Sequence, residues 1–256
     1  MTALYEHIIY GPVRSRRLGV SLGVNLLPTN AKICTFDCIY CECGWNAEHR
    51  SSNKMCDVAE FRTSLEEALQ RMCADAELPD VITFAGNGEP TMHPSFEEII
   101  DITITLRNRY APQAKIAVLS NATQLWRDDV CRALRRIDNN ILKLDSAIDA
   151  TARIMNRPQC KYAVDSIVSE LQKFDGDFIL QTMFLRGECE GIAFDNTTET
   201  EVAAWLEIVE RLRPRQVMIY SIARDTPCKT LEKVSREELD EIAAKVKNLG
   251  IECSVA

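Results

Sequence analysis

Short β-rich runs alternate with amphipathic helical segments along this chain, and that alternation constrains its fold most strongly. A Ser or Thr three positions before a Glu is typical of a helix start. This pattern occurs at Ser235 with Glu238, Thr198 with Glu201, Ser95 with Glu98, and Thr63 with Glu66. Strand-like runs span residues 18–27, 80–85, 115–120, 140–147, 177–184 and 216–222, and a short last strand is expected at 251–255. The alternation predicts a parallel sheet, and six units favour an α/β fold built as a partial (β/α)6 barrel.

Polar side chains within the predicted strands indicate which face of the sheet lines the barrel interior. Lys143 and Asp145 alternate with leucines, and Gln181 shares a face with its second neighbours on either side. Barrel strands alternate between the lumen and the outer helices, and an unpaired charge buried against those helices is costly. We therefore expect Lys143, Asp145 and Gln181 to point inward.

Several polar motifs follow the carboxyl ends of predicted strands, where α/β barrels place their active sites. They are Gly86-Asn87-Gly88-Glu89-Pro90, the pair Ser120 and Asn121, Asp145, and Ser221 with Arg224. Each has a plainer interpretation when taken alone. Gly-Asn-Gly is typical of a simple turn, Ser-Asn of a helix cap, and Lys143 with Asp145 of a structural ion pair.

Three cysteines, Cys34, Cys38 and Cys41, lie within eight residues of one another, in the loop that follows the first predicted strand. Iron–sulfur clusters normally take four thiolates, so a cluster held by three keeps one iron open for another ligand. A zinc knuckle completed by Cys43 is the alternative, since four thiolates also make a closed zinc site.

Composition narrows the class of protein further. The chain has 256 residues, eleven cysteines and a net charge of −8. An odd cysteine count without an export signal argues against a disulfide framework, and no apolar run is long enough to cross a bilayer. The acidic charge argues against broad nucleic-acid binding, although Arg16 and Arg17 could seed a local basic patch. We expect a cytosolic protein forming one domain over residues 1–256, with no membrane contact.

The segment Cys34-Thr-Phe-Asp-Cys38-Ile-Tyr-Cys41 resembles the CxxxCxxC signature of the radical S-adenosylmethionine (SAM) superfamily. The resemblance implies a [4Fe–4S] cluster on Cys34, Cys38 and Cys41. It also implies that SAM binds the open iron and that a 5′-deoxyadenosyl radical abstracts hydrogen from a substrate. A flavodoxin or a ferredoxin would be the electron donor. The segment 86–90 is similar to the Gly-Gly-Glu stretch of that superfamily, and Ser120-Asn121 to its Thr/Ser-Asn pair.

The same resemblance assigns expected roles to individual residues. Tyr40 would lie against the adenine, and Glu89 would accept a hydrogen bond from the SAM ammonium. We expect Lys143 and Arg224 to be catalytic, with Schiff-base formation by Lys143 as a less favoured role. The full set of expected cofactor-binding residues is Tyr40, Gly86, Asn87, Gly88, Glu89, Ser120, Asn121, Asp145, Gln181 and Met183.

A closer resemblance is to the oxidoreductase branch that includes wybutosine-synthesis enzymes, which modify a tRNA guanine using pyruvate. It is carried by residues 11–19, 84–94, 143–145, 156–158 and 180–184. No cysteine precedes Cys34, so we expect no second cluster. The expected substrate is a nucleobase or another small molecule. The alternatives are a protein or peptide backbone, as for glycyl-radical activating enzymes, and a non-enzymatic zinc-binding module.

Overall fold

Apolar and β-branched runs form a central sheet in a computed structural model that describes residues 4–15, 19–49 and 54–256. All neighbouring strands are parallel except the first pair, which is antiparallel. In spatial order the eight strands are β1 (Ile9–Ser15), β2 (Gly19–Val24), β3 (Val81–Phe84), β4 (Lys115–Ser120), β5 (Asn139–Lys143), β6 (Ile179–Met183), β9 (Gln216–Tyr220) and β11 (Glu252–Val255). A second, antiparallel sheet joins β10 (Leu231–Lys233), β7 (Leu185–Cys189) and β8 (Ile192–Asp195).

Helices connect consecutive parallel strands and complete six βα units before the last strand. Between β5 and β6 there are two helices, and each other connection in this series carries one. The helices are α1 (Val58–Ala74), α2 (Phe96–Tyr110), α3 (Asp128–Leu134), α4 (Asp149–Asn156), α5 (Val164–Gln172), α6 (Glu199–Leu212) and α7 (Arg236–Asn248). This order is the one that the alternating sequence pattern predicts.

The two faces of the main sheet are packed differently. One face joins the apolar sides of the helices in the largest core cluster, which includes Leu142 and Leu180. The opposite face, called the inner face below, carries a separate small cluster of Val81, Ala117, Ile141, Ile179 and Met218. Lys143 and Gln181 follow Ile141 and Ile179 by two positions, so they share the inner face, as predicted. The inner face is therefore apolar at its base and polar toward the carboxyl ends of the strands.

Three of the four predicted helix starts are correct, at Ser95, Thr198 and Ser235. Ser235 and Glu238 form a complete capping box at α7, and the Thr198 hydroxyl accepts the Glu201 N–H at α6. The start predicted at Thr63 is wrong. Helix α1 begins five residues before Thr63, because the Asp57 carboxylate already caps the Glu60 N–H at 2.7 Å. At α2 the Ser95 side chain makes no capping hydrogen bond, although the residue does stand at the N-cap.

The sequence pattern also missed four strands. Strand β1 pairs with β2 in an antiparallel hairpin, and β7, β8 and β10 form the second sheet. Each of these four strands carries at least one charged residue, so no apolar run marks them. Arg16 and Arg17 lie outside the described residues. In the part of the chain that is described, no helix combines the length and the apolar character needed to cross a bilayer.

Candidate functional site

The cysteine loop is held from two sides by backbone hydrogen bonds. On one side, Ile33 N donates to Asn87 O at 2.9 Å and Glu89 N donates to Ile33 O at 3.0 Å. On the other side, Asp37 N and Ile39 N donate to carbonyls at the carboxyl end of α4, at 2.9 and 3.0 Å. The three cysteines of the loop are partly exposed. The loop therefore lies at the rim where the parallel strands end.

Nitrogen donors surround the sulfur atoms of this loop. Cys34 Sγ accepts from Phe36 N at 3.4 Å and from Asn121 Nδ2 at 3.6 Å. Cys38 Sγ accepts from Asn156 Nδ2 at 3.7 Å. The buried Lys32 ammonium donates to Gly44 O at 2.6 Å. Burial lowers the pKa of Lys32, but the attraction of Cys41 and the other two cysteines outweighs it and leaves that pKa raised. Such surroundings stabilise thiolate sulfur.

The donor set fits an iron–sulfur cube better than a single zinc ion. A tetrahedral zinc with bonds of about 2.3 Å would bring its sulfur ligands to within about 3.8 Å of one another. Nowhere in the described residues do three His, Cys, Asp or Glu side chains converge in this way. A cube of four irons spreads three thiolates farther apart. Cys43, the proposed fourth zinc ligand, contacts Cys41 through its thiol, which also lies 3.5 Å from the Gly86 carbonyl.

Protonation of the cysteines also bears on metal binding. Burial raises the pKa of Cys34, and it raises the pKa of Cys38 to about 12. A hydrogen bond with the Cys43 thiol, assisted by Lys32, lowers the pKa of Cys41 to about 6. Metal binding requires thiolates, so iron must displace protons from Cys34 and Cys38.

The Gly86–Pro90 segment presents one buried carboxylate. Glu89 Oε2 accepts from Asn121 N at 2.7 Å, Oε1 accepts from Thr91 N at 3.1 Å, and burial raises the pKa of Glu89. The Thr91 hydroxyl donates to Oε1 at 2.5 Å and the Ser120 side chain also hydrogen-bonds to Glu89, so four donors fill the roughly four acceptor sites of this carboxylate. The Asn87 side chain is fully used, because it binds Tyr5 N, Tyr5 O and Pro28 O. The Asn87 backbone is paired as well, because its N–H donates to Asn25 Oδ1 at 3.0 Å and its carbonyl accepts from Ile33 N at 2.9 Å.

Ser120 and Asn121 end β4 beside the cysteine loop. Ser120 is buried, and its hydroxyl accepts from Ala122 N at 3.1 Å. The Asn121 carboxamide donates to Thr35 Oγ1 at 2.9 Å and reaches Cys34 Sγ, while its backbone N–H binds Glu89. The structure thus brings Cys34, Glu89 and Asn121 together, although 87 residues separate the first from the last.

A buried polar network occupies the inner face above its apolar base. The Tyr40 hydroxyl donates to Asp145 Oδ2, Asn156 Nδ2 lies 2.7 Å from both of these oxygens, and Lys143 Nζ lies 3.3 Å from Asp145 Oδ1. The same ammonium donates to Tyr220 Oη at 2.8 Å. Burial lowers the pKa of Lys143, but Asp145 outweighs it, so that pKa is raised. Schiff-base chemistry requires the opposite shift, so the geometry disfavours that role.

The remaining predicted residues border the same region. Gln181 is buried, with its Oε1 3.5 Å from Tyr220 Oη, and Met183 N donates to Asp145 Oδ1 at 2.9 Å. Arg224 stands at the rim and pairs with Glu42 at 2.6 Å, where both side chains are largely exposed. Met183, Glu42 and Arg224 line a narrow cleft together with Tyr40 and Tyr220, and this cleft has room for only about 30 Å³.

Three residues of the site were missed or given no role by the sequence prediction. Lys32 and Tyr220 carried no usable signal, because a lone Lys and a strand-end Tyr are common. Asn156 lies in the segment 156–158 that carries part of the family resemblance. Its side-chain contacts, however, depend on α4, a helix that the sequence pattern did not predict.

Comparison with known proteins agrees with this geometry. Residues 31–192 match the family model described as the radical SAM superfamily. The UPF0026 protein MJ1312 of Methanocaldococcus jannaschii is 30% identical, over 95% of this chain and 75% of that protein. The UPF0026 protein slr1464 of Synechocystis is 32% identical, over 86% of this chain and 77% of that protein.

Solved structures share the fold at low sequence identity. A radical SAM methyltransferase from Sphaerobacter thermophilus has a TM-score of 0.68 and 13% identity, over 92% of this chain and 66% of that one. SuiB of Streptococcus suis bound to SAM has a TM-score of 0.64 and 10% identity, covering 89% and 49%. Archaeal TYW1 has a TM-score of 0.54 and 14% identity, covering 89% and 71%. The likeness confirms the barrel-like α/β fold.

The family match covers the cysteine loop and the carboxyl ends of β3, β4, β5 and β6. The chain therefore belongs to the radical SAM superfamily of enzymes and to the UPF0026 family, and its cofactors are a [4Fe–4S] cluster and SAM.

Proposed function

We propose that Cys34, Cys38 and Cys41 hold the cluster and that the enzyme abstracts hydrogen from a nucleobase or another small molecule. The observation that carries the cofactor assignment is the position of Asn121, which contacts Cys34 Sγ through its amide and Glu89 through its backbone. A cluster ligand and a buried carboxylate are thereby fixed side by side at one rim. The whole chain would act as a single radical SAM domain in the cytosol.

When bound, the cluster supplies the electron that cleaves SAM and generates the 5′-deoxyadenosyl radical. The protein residues bind SAM, orient it and shield it from solvent. Glu89 would accept a charge-assisted hydrogen bond from the SAM ammonium in place of one of the hydroxyl donors that it now accepts from. The Gly86 and Gly88 backbones would allow close approach of the methionyl part, and Ser120 and Asn121 would border it.

Tyr40 and Asp145 would contact the nucleoside part of SAM. Four groups fix the Asp145 carboxylate: Tyr40 Oη, Met183 N, Asn156 Nδ2 and Lys143 Nζ. A ribose hydroxyl would replace one of these donors on a carboxylate that is already held in one orientation. The phenol of Tyr40 is already directed at Asp145, so its ring is also fixed in place.

The polar inner face supports a small polar substrate. Lys143, Tyr220 and Gln181 present a cation, a hydroxyl and an amide within hydrogen-bonding distance of one another. These groups can bind the carbonyl and ring nitrogen atoms of a nucleobase, or a small anion. The cleft beside them is narrow, and the Glu42–Arg224 pair crosses its rim. A small planar molecule needs less displacement of these residues than a folded polypeptide does.

A peptide substrate is the second candidate. SuiB, which shares the fold, has a structure bound to its precursor peptide, with a TM-score of 0.64. The Glu42–Arg224 pair is mostly exposed, and exposed pairs contribute little stability, so the rim can open at low cost. An extended peptide could then reach the inner face.

Anaerobic reconstitution tests the cofactor assignment. Wild-type protein should bind about four irons and, with dithionite and SAM, release 5′-deoxyadenosine. Cys34→Ala, Cys38→Ala and Cys41→Ala should lose both properties. Cys253→Ala is the matched control, because Cys253 is buried far along the chain from the loop. Cys43→Ala should keep both properties. A colourless zinc protein that needs Cys43 and does not cleave SAM would refute the proposal.

Isotope transfer tests the substrate. The enzyme, supplied with a flavodoxin or a ferredoxin as electron donor, is incubated with separate deuterated fractions: small molecules, RNA and protein. Deuterium in 5′-deoxyadenosine identifies the fraction that lost a hydrogen atom. Transfer from the small-molecule or RNA fraction supports the first candidate, and transfer from the protein fraction alone supports the second.

A further inference from the structure

The carboxyl end of α4 runs alongside the cysteine loop like a short strand. Four backbone hydrogen bonds connect the two segments: Ile39 N to Met155 O at 3.0 Å, Asp37 N to Asn156 O at 2.9 Å and to Arg157 O at 3.2 Å, and Gln159 N to Thr35 O at 2.7 Å. The helix ends at Arg157, which takes the left-handed conformation, and Pro158 follows it. This geometry places the Asn156 side chain directly beneath the loop.

Asn156 is 2% exposed, and its amide nitrogen faces three acceptors. Nδ2 lies 2.7 Å from Tyr40 Oη, 2.7 Å from Asp145 Oδ2 and 3.7 Å from Cys38 Sγ. A carboxamide has only two N–H groups. Because the Tyr40 hydroxyl and the Asp145 carboxylate contact each other, one N–H can serve both oxygens. The other N–H is then directed at sulfur.

We infer that Asn156 is a positioning residue that sets the reduction potential of the cluster through an N–H···S hydrogen bond to Cys38. The inference rests on the proposed function, in which Cys38 is a cluster ligand. Hydrogen bonds to the sulfurs are among the factors that set the potential of an iron–sulfur cluster. Residues behind the metal ligands commonly tune a metal centre in this way. Asn156 also connects this sulfur with Tyr40 and Asp145, the expected nucleoside contacts.

The direction of the effect follows from charge. Reduction adds an electron to the cluster, and an N–H donor stabilises the more negative state. Removal of the donor should therefore lower the potential. We expect removal of the donor to lower the ratio of reduced to oxidised cluster at a fixed potential by about tenfold. For a one-electron couple this is a shift of about 59 mV.

The experiment compares reconstituted wild-type protein with Asn156→Leu, which keeps the side-chain shape and removes the donor. Asn156→Ala is the second variant. The matched control is Asn196→Leu, since Asn196 is 1% exposed and donates to Asp145 O and Met183 O at 2.8 Å. Asn196 lies in the same buried region, and none of the hydrogen bonds described for it involves a sulfur atom. Iron content and midpoint potential are measured anaerobically, the latter by redox titration with electron paramagnetic resonance detection.

Each outcome has a defined meaning. A lower potential in either Asn156 variant with a full cluster, and an unchanged potential in the control, supports the inference. A full cluster with an unchanged potential, or an equal shift in the control, overturns it and leaves the proposed function intact. Loss of the cluster from both Asn156 variants, with retention in the control, shows that the residue holds the loop and also overturns the tuning role. Wild-type protein without a cluster overturns the proposed function itself.

Discussion

Gly88 is the position where a single methyl group should most disturb the site. Its φ is +136°, a region that side-chain-bearing residues rarely adopt. A Cβ there would overlap the Ile33 carbonyl and lie 2.9 Å from Leu27 Cδ1, and contacts shorter than 3.0 Å are essentially never seen for Cβ atoms. Ile33 precedes Cys34, so Gly88→Ala should push the cysteine loop away from the Gly86–Glu89 segment.

The magnitude follows from the bonds that such a shift would break. Ile33 N donates to Asn87 O at 2.9 Å, and Ile33 O accepts from Glu89 N at 3.0 Å. Each bond contributes about 0.5–1.5 kcal/mol, so their loss costs about 1–3 kcal/mol. Backbone strain at positive φ adds about 1–3 kcal/mol. Gly191→Ala is the matched control, because Gly191 has a φ of +80° and no atom within 4 Å of an added Cβ.

Urea unfolding of the metal-free chain, followed by circular dichroism, measures both variants. Gly88→Ala should lower the free energy of unfolding by about 1–3 kcal/mol more than Gly191→Ala does, since only the control is free of the steric clash. Iron uptake on reconstitution should fall in Gly88→Ala alone. Equal destabilisation of the two variants, with equal iron uptake, would refute the reasoning.

Two further predictions concern buried ionisable groups. Asp145→Ala leaves the buried Lys143 ammonium without its carboxylate, so the free energy of unfolding should fall by about 3–5 kcal/mol in urea titrations, and a loss below about 1 kcal/mol would contradict the pairing. Burial raises the pKa of Cys253 to about 12, so in metal-free folded protein at pH 8.5 its thiolate fraction, and hence its iodoacetamide labelling, should be about 1,000-fold below that of an unperturbed thiol. The exposed Cys160 should label faster, and equal rates would refute the shift. Because the unfolded chain releases the Cys253 proton near pH 8.5, stability should fall as pH rises from about 8.5 toward 12.

Local patterns predicted the parallel part of the fold well. The run 115–120 coincides with β4, and α7 begins at the predicted capping box. Both signals are short-range, since strand alternation and a cap involve residues within a few positions of one another. The strands β1, β7, β8 and β10 escaped prediction because each carries a charged residue and none forms an apolar run. Thr63 was misassigned because Asp57 offered an earlier cap.

The candidate site likewise contains features that the sequence revealed and features that it did not. The spacing of Cys34, Cys38 and Cys41 indicated the cluster from sequence alone, because all three ligands lie in one loop. The sequence did not show what the side chains of Asn87 and Asn156 contact. Asn87 proved to hold the turn through Tyr5 and Pro28, whereas Asn156 contacts Cys38 across 118 residues of chain.

The sequence by itself thus determined the βα order, the inward faces of the strands and the loop that carries three thiolates, since each follows from periodicity or close spacing. Only the tertiary structure decided which amides reach the sulfurs, that Lys143 is paired with Asp145 and Tyr220, and that Asn87 is turned away from the rim. The physical reason is that hydrogen bonds between buried groups depend on distances of a few tenths of an ångström. Those distances are set by how helices and strands far apart in the chain pack together.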